Sequence, residues 1–312
     1  MQDHSSHLPA SGRALAISAW LTGIYFLIEL AIGIYTGSVA VLSDAFHTFS
    51  AVGGVVLAIV AGRIARRPAD RDRTFGWYRA EVIGALLNGA FLLAMAVFVI
   101  WMGAMRLAAP VDLPTTPMLA AAAGGLVTEF ISLYLLYSQQ SGDLNVRGAY
   151  WHVVQTFIGS LIIIVVAIVI RFTDFLIIDP LLGMAFGIVL VWASWGIMRD
   201  AIFIMMEGTP PGTDLAALVS ELGAVDGVAD VHHVHAWSLT SNRHVFSAHI
   251  RMRPDTGDKD HEAVLKSAYR LATEKAGFFF ATIQVETVCL DEAAARDIDV
   301  GFQPRSDIQH EH

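Results

Sequence analysis

The chain contains six stretches long and apolar enough to cross a bilayer, and no other feature narrows its fold so sharply. A spanning helix needs roughly 20 apolar residues at about 1.5 Å of rise each, and hydrocarbon offers backbone amides no partner outside their own helix. Residues 14–35, 39–62, 80–107, 117–138, 148–170 and 175–198 meet that requirement. Turn-forming residues separate them at Tyr35-Thr36-Gly37-Ser38, between Pro110 and Pro117, and from Ser138 to Asp143. Only 16% of the chain is charged, against about 25% in a soluble domain, so composition agrees with the pattern.

The charges are unevenly placed. Arg63, Arg66, Arg67, Arg71 and Arg73 crowd the connection after the second span, Arg13 precedes the first, Arg147 the fifth, and Arg199 follows the sixth. The alternate connections hold little positive charge, so the positive-inside rule puts both termini in the cytosol. The sequence therefore reads as an integral, multi-pass protein of a cell inner or plasma membrane, with the lipid membrane as its surroundings. Its parts are a cytosolic N-terminal tail (1–13), a six-helix transmembrane domain (14–207), a cytosolic α+β domain (208–290) and a polar tail (291–312). The first twelve residues carry no basic segment or cleavage site of a signal peptide, so the N-terminus is expected to be retained. Up to Glu207 there are 11 basic and 13 acidic residues, a net of −2; from Gly208 onward there are 9 and 16, a net of −7. An acidic cytosolic part offers no basic patch to neutralise phosphates, which excludes nucleic acid as a partner.

Past Gly208-Thr209-Pro210-Pro211-Gly212 the periodicity changes. Leu215, Leu218, Val219 and Leu222 recur at helical spacing, while Val228 to Leu239 and His244 to Met252 alternate as strands around a Thr240-to-Arg243 turn. Residues 259–276 read as a second helix and Phe279 to Val288 as a last strand. The order αββαβ describes a small two-layer domain.

Ionisable groups inside spans are costly, so each is a site hypothesis. Glu29, Asp44, His47, Glu129 and His152 fall in this class; Glu81 lies at the start of the third span, where it reads as an interfacial salt bridge with Arg79. Asp44 and His47, three apart, share a helix face, and His152 and Gln155 repeat the spacing on the fifth span. Imidazole plus carboxylate from two facing helices suits a four-coordinate zinc ion, and it equally suits a hydrogen-bonded pair that joins helices. Cys289 is the only cysteine, so disulfides within the chain and cysteine-rich zinc sites are excluded. Ions are expected to be held by His, Asp, Glu or carbonyl oxygen. No nucleophile–base pair or phosphate loop is readable, so the chain is not expected to be an enzyme.

At these residues the chain resembles the cation diffusion facilitators, in their zinc-transporter-like subgroup. The second span runs Gly37-Ser38-Val39-Ala40-Val41-Leu42-Ser43-Asp44-Ala45-Phe46-His47, the third opens Thr74-Phe75-Gly76-Trp77-Tyr78-Arg79-Ala80-Glu81, and the fifth opens Leu144-Asn145-Val146-Arg147-Gly148-Ala149-Tyr150-Trp151-His152. Asp179-Pro180-Leu181-Leu182, Met206-Glu207-Gly208-Thr209-Pro210, Val234-His235-Ala236-Trp237-Ser238-Leu239 and Thr282-Ile283-Gln284-Val285-Glu286 complete the likeness. The resemblance implies a homodimer with a metallochaperone-like αββαβ cytosolic domain, exporting zinc or another divalent transition metal in exchange for protons. It also implies metal ligands at His-x-x-x-Asp on the second and fifth spans. Here Ala51 and Thr156 stand where the two Asp residues belong, while His47 and His152 remain. Two neutral imidazoles leave a divalent ion poorly compensated in a low-dielectric cavity. The replacement set is His47, His152 and Glu129, with Asp44 as ligand or supporting partner and Thr156 or water completing it; Glu129 stands where related chains tend to carry an uncharged residue. Histidine must be neutral to bind metal, so binding releases protons and protonation expels the ion.

By position, His232, His249, His261, Gln284 and Glu286 match the places where related cytosolic domains hold regulatory metal. Strand alternation puts His233 and His235 on one face and His232 on the other, so the three are not expected to serve one ion. His244 sits at a turn and reads as solvated, and the set reads equally as ordinary surface histidines on a sheet. Two alternatives accompany proton-coupled export: a transport-inactive relative acting as a metal sensor or scaffold, and an exporter shifted toward iron, manganese or cobalt.

Overall fold

The computed structural model describes residues 10–137, 144–254 and 258–289; within helices, the side chains of 10–16, 50–52, 54, 55, 58, 59, 144–149, 151, 152 and 258–260 lie outside the description. Of the expected tails, residues 1–9 and 291–312, with His310 and His312, fall outside it as well, while residues 10–13 are helical. Six long helices come first: α1 (Ala10–Thr36), α2 (Val39–Ala65), α3 (Ala80–Ala108), α4 (Thr115–Tyr137), α5 (Leu144–Thr173) and α6 (Ile178–Met205). Five contain described stretches long and apolar enough to span a bilayer, and α2 contributes the apolar run Val39–Phe49. Trp192 and Phe172 are each 79% exposed, so large apolar side chains face outward where acyl chains, not water, would cover them. This is a six-helix membrane bundle followed by a small α+β domain.

The chain forms two compact units, one of residues 1–63 and 83–199, the other of 64–82 and 200–312. In the first, α4 packs against α5 and α1. Gly37, with φ of 67°, ends α1: its amide returns to the Gly33 carbonyl at 2.9 Å, a left-handed cap that glycine adopts without a Cβ penalty. The first turn of α2 is then capped from another helix. Asp179 on α6, 1% exposed, accepts from the Val39 amide at 2.7 Å, the Ala40 amide at 3.2 Å and the Ser38 hydroxyl. The orphan amides of a buried helix start thereby gain an anion that also suits the positive end of the helix.

In the second unit, α7 (Leu215–Gly223) is capped by Asp214, which accepts from the Ala217 amide at 3.0 Å. Strands β1 (Val228–Thr240), β2 (Arg243–Met252) and β3 (Phe280–Glu286) form a sheet in that order. The β1–β2 pair is antiparallel; α8 (Asp258–Arg270), continuing through a π-helical turn Leu271–Lys275, carries the chain across so that β3 runs parallel to β2. Leu218, Leu222, Phe246, Ile250, Val264 and Phe278 fill the layer between helices and sheet.

The α2–α3 connection belongs to this unit. Phe75 meets Phe280 and Tyr78 meets Phe279 edge to face, with Arg243 lying over the Tyr78 ring at 4.1 Å. Arg79 pairs with Glu207 at 3.0 Å rather than with Glu81, which corrects the sequence expectation. Residues two apart on one turn point away from each other, and the chain leaving α6 is the partner within reach. His244 is also not simply solvated: Ser238 Oγ lies 3.0 Å from its Nδ1, and burial lowers its pKa.

Replacing Asp179 with Ala strips three donors at the start of α2 of their acceptor. We expect a loss of about 1–3 kcal/mol, read as a lower melting temperature in detergent; an unchanged melt would show that the cap does not hold α2.

Candidate metal centres

Three acids from three helices meet inside the bundle. Glu29 on α1, Asp44 on α2 and Glu129 on α4 are 0%, 2% and 5% exposed. They are electrostatic neighbours, and the carboxyls of Glu29 and Asp44 face each other directly. Tyr25, one turn before Glu29, donates to the Ala121 carbonyl at 3.1 Å and stands 3.5 Å from Glu29 Oε1. From α5, Ser160 donates to Glu129 Oε1 at 3.0 Å. Thr156, one turn earlier, lies between the Val153 carbonyl, 2.9 Å away, and the same Glu129 carboxylate.

Small residues make room for this arrangement. A Cβ at Gly159 would run into the Asp44 carboxylate, and one at Gly125 into the Tyr25 and Ser160 hydroxyls. Apart from a proton that the facing Glu29 and Asp44 carboxyls can share, Glu29 Oε2, both Asp44 oxygens and Glu129 Oε2 meet no hydrogen-bond donor among the described residues. No salt bridge among those residues includes the three acids. Buried polar atoms are normally partnered, and buried charge is normally paired or bound to metal. Orphaned oxygens converging from three helices have the chemistry of a cation site.

Of the intramembrane residues singled out in the sequence, Asp44 and Glu129 enter this cluster. His47 is half-buried, its ring edge-on to Phe186 of α6 with centroids 5.5 Å apart. His152 is on α5, with its side chain outside the described residues, and Gln155 is exposed. Sequence reasoning gave Glu29 a lesser place and missed Tyr25, Gly159 and Ser160. The i, i+4 spacing of Tyr25 and Glu29 was available as a signal; the two α5 residues carried none.

The second cluster lies on the C-terminal sheet. His232 on β1 sits opposite His249 on β2, with rings 5.6 Å apart. Glu286, at the end of β3, bridges them, 2.8 Å from His232 Nε2 and 3.3 Å from His249 Nδ1. Burial acts to raise the Glu286 pKa, but hydrogen bonds from Gln284 and His232, with His249 nearby, outweigh it and hold the carboxyl below its usual range. His261 is on α8, outside the group of converging ligand atoms.

His233 overturns the alternation argument. The register jumps between His232↔His249 and His235↔Ser247, so His233 and Val234 together oppose Ala248. This β-bulge has His233 in the left-handed region at φ of 48°. The bulge turns its ring onto the same side as His232, with centroids 4.9 Å apart, and 4.9 Å from His249. Cys289 also joins them, its Sγ 3.3 Å from His233 Nε2. One ligand atom each from His232, His233, His249 and Cys289 lies within 4.8 Å of every other.

A membrane bundle enclosing buried carboxylates, joined to a domain with converging ligand atoms, has the features expected of a transporter of cations. Comparison with known proteins agrees. Residues 15–206 match the family model of the cation efflux transmembrane domain, and residues 210–288 that of the cation efflux protein cytoplasmic domain. The chain is 33% identical over 293 residues to the cation efflux system protein CzcD of Alcaligenes sp. (strain CT14), covering 94% of this chain and 92% of that one. It is 31% identical over 311 residues to the cadmium, cobalt and zinc/H(+)-K(+) antiporter of Bacillus subtilis (strain 168), covering 99% and 98%. It is 30% identical over 286 residues to the zinc transporter ZitB of Escherichia coli (strain K12), covering 90% of each. The chain belongs to the cation efflux, or cation diffusion facilitator, family. It is a multi-pass membrane protein of divalent metal efflux and not an enzyme.

Gly159→Ala tests the fit at the acid cluster. Alanine favours the helix, so helical content by circular dichroism should stay unchanged, while Asp44 is displaced and metal flux into vesicles falls roughly tenfold or more. Wild-type flux in this variant would show that Asp44 does not need the gap.

Proposed function

We propose that the chain exports zinc from the cytosol in exchange for protons, as a homodimer of an inner or plasma membrane with both termini cytosolic. The observation that carries this reading is the cluster of Glu29, Asp44 and Glu129, with its orphaned oxygens. Glu129 supports it most directly, since its carboxylate lies beside Thr156, the α5 position where the family pattern calls for Asp. A negative charge missing from one helix is thus supplied by its neighbour, which favours a working transporter over an inactive relative. The family pattern adds the imidazoles of His47 and His152 to a set otherwise made of oxygen, within the range of ligands zinc accepts. Zinc stands first because two of these relatives are named for it. In the cytosolic domain the regulatory set implied by the resemblance is His232, His249 and Glu286, which converge on the sheet, with His261 standing apart on α8.

Proton exchange follows from charge balance. Three carboxylates are neutralised by three protons, or by one divalent ion and one proton, and a low-dielectric bundle tolerates neither excess. The ion therefore enters as protons leave, two for each ion on this cluster alone. Neutral histidines act in the same direction. The cytosolic orientation rests on the arginines after α2, which the positive-inside rule keeps in the cytosol, and the homodimer on the family resemblance.

Inside-out vesicles containing the purified chain should accumulate zinc when their lumen is acid, and the rate should fall when an ionophore dissipates the gradient. Flux indifferent to the gradient rejects proton coupling. Glu129→Gln should lower zinc flux roughly tenfold or more, since a charge-assisted ligand is lost; unchanged flux removes Glu129 from the site. Parallel assays with cobalt, iron and manganese would expose a shifted preference as faster flux than zinc.

A further inference from the structure

We propose that the C-terminal sheet takes a fourth strand from the chain's own tail, with Ile298, Val300 and Phe302 closing the groove between α8 and the outer edge of β3. The proposal uses no metal ligand and stands whether or not the chain transports.

The groove has two walls. β3 is the last strand of the sheet, and among the described residues no strand pairs with its outer edge. Its ladder to β2 runs without a register shift from Phe280 to Glu286, whereas β1, at the opposite edge, is broken by three irregularities. A regular open edge is a template for another strand, and bulges blunt one. Beside that edge α8 leaves an apolar stripe uncovered. Val264, Ala268 and Ala272 face the core, while Leu265 and Tyr269, one residue further round, are 39% and 47% exposed. Together with Ala281 and Ile283 of β3 they line a groove of about 510 Å³.

The chain itself carries a segment that fits. Ile298-Asp299-Val300-Gly301-Phe302 alternates apolar with polar or small residues, the pattern of a half-buried strand, and Pro304 suits the end of an edge strand. Running antiparallel to β3 with Val300 opposite Ile283, it sets Ile298 opposite Val285 and Phe302 opposite Ala281, so all three join the helix-facing side. A slip of one residue would turn them to the other face. Length permits the return. Cys289, the last described residue, lies against His233 of β1, three strand spacings or about 15 Å from the proposed position. Residues 290–297 reach up to about 26 Å when extended. Charge acts in the same direction: Lys266 and Arg270 stand in the groove against one acid, Glu274, while residues 290–312 hold six acids and two arginines, a net of −4. A tethered segment meets its groove at an effective concentration of about millimolar, so a pairing too weak for separate molecules suffices here.

Pairs of cysteines test the register in the full chain with Cys289→Ser, purified in detergent. Thr282→Cys with Gly301→Cys sets two thiols opposite each other in the proposed ladder. Thr282→Cys with Asp307→Cys moves the second thiol about 20 Å along the strand direction. Mild oxidation should join the first pair within one chain at least roughly tenfold faster than the second, because a disulfide needs its two Cα atoms close. Hydrogen exchange gives a readout that needs no new thiol. Docking adds hydrogen bonds to the outward amides of β3, so peptides covering Phe280 to Glu286 should exchange roughly threefold or more slowly in the full chain than in one ending at Cys289. Phe302→Asp should restore the faster exchange. Equal rates for the two cysteine pairs, a disulfide between chains rather than within one, or β3 exchange indifferent to the tail or to Phe302→Asp would each overturn the proposal.

Discussion

Charge in hydrocarbon must be neutralised, and the buried acids of this bundle show two ways of meeting that demand. Asp179 is fully employed: Val39, Ala40 and Ser38 fill its oxygens, and the positive end of α2 supplies the compensating field. Glu29, Asp44 and Glu129 are equally buried and keep oxygens without donors. Both groups are intramembrane carboxylates, and burial does not separate them. Their partners do. One acid holds two helices together; the other three converge from three helices with oxygens that no other described residue satisfies.

That convergence spans helices rather than running along one. Ala51 and Thr156 remove the carboxylates that the family pattern places on the second and fifth spans, and a helix-by-helix reading sees a dismantled site. Packing of α4 on α5 brings Glu129 beside Thr156 and Ser160, while Gly159 lets Asp44 of α2 press against α5. A metal ion responds to the field at a point in space, so the helix that supplies a carboxylate matters less than where its oxygens end.

In the C-terminal domain one inserted residue has a comparable effect. Period-two alternation is reliable while the ladder is regular, and it separates His232 from His233. A bulge breaks the count, and the local backbone re-aims a side chain onto the face where His249 already stands. The cysteine past β3 then meets them, although its isolation in the sequence argued against any part in metal chemistry.

The sequence by itself determined the larger architecture. Spanning segments are dictated by apolar length, and the αββαβ order by a change of period after Gly212, both properties of consecutive residues. It also marked Asp44 and Glu129, because burying such groups is costly enough to require a reason, and His232 and His249 through the family resemblance. Only tertiary structure decided which groups meet: Glu29 against Asp44, Glu129 beside Thr156, Arg79 with Glu207 instead of Glu81, and Cys289 with His233. The physical reason is range. Hydrophobic periodicity is a local signal that one strand or helix carries alone, whereas a binding site is a coincidence of side chains distant in sequence, set by packing, by the room a glycine leaves and by a single bulged residue.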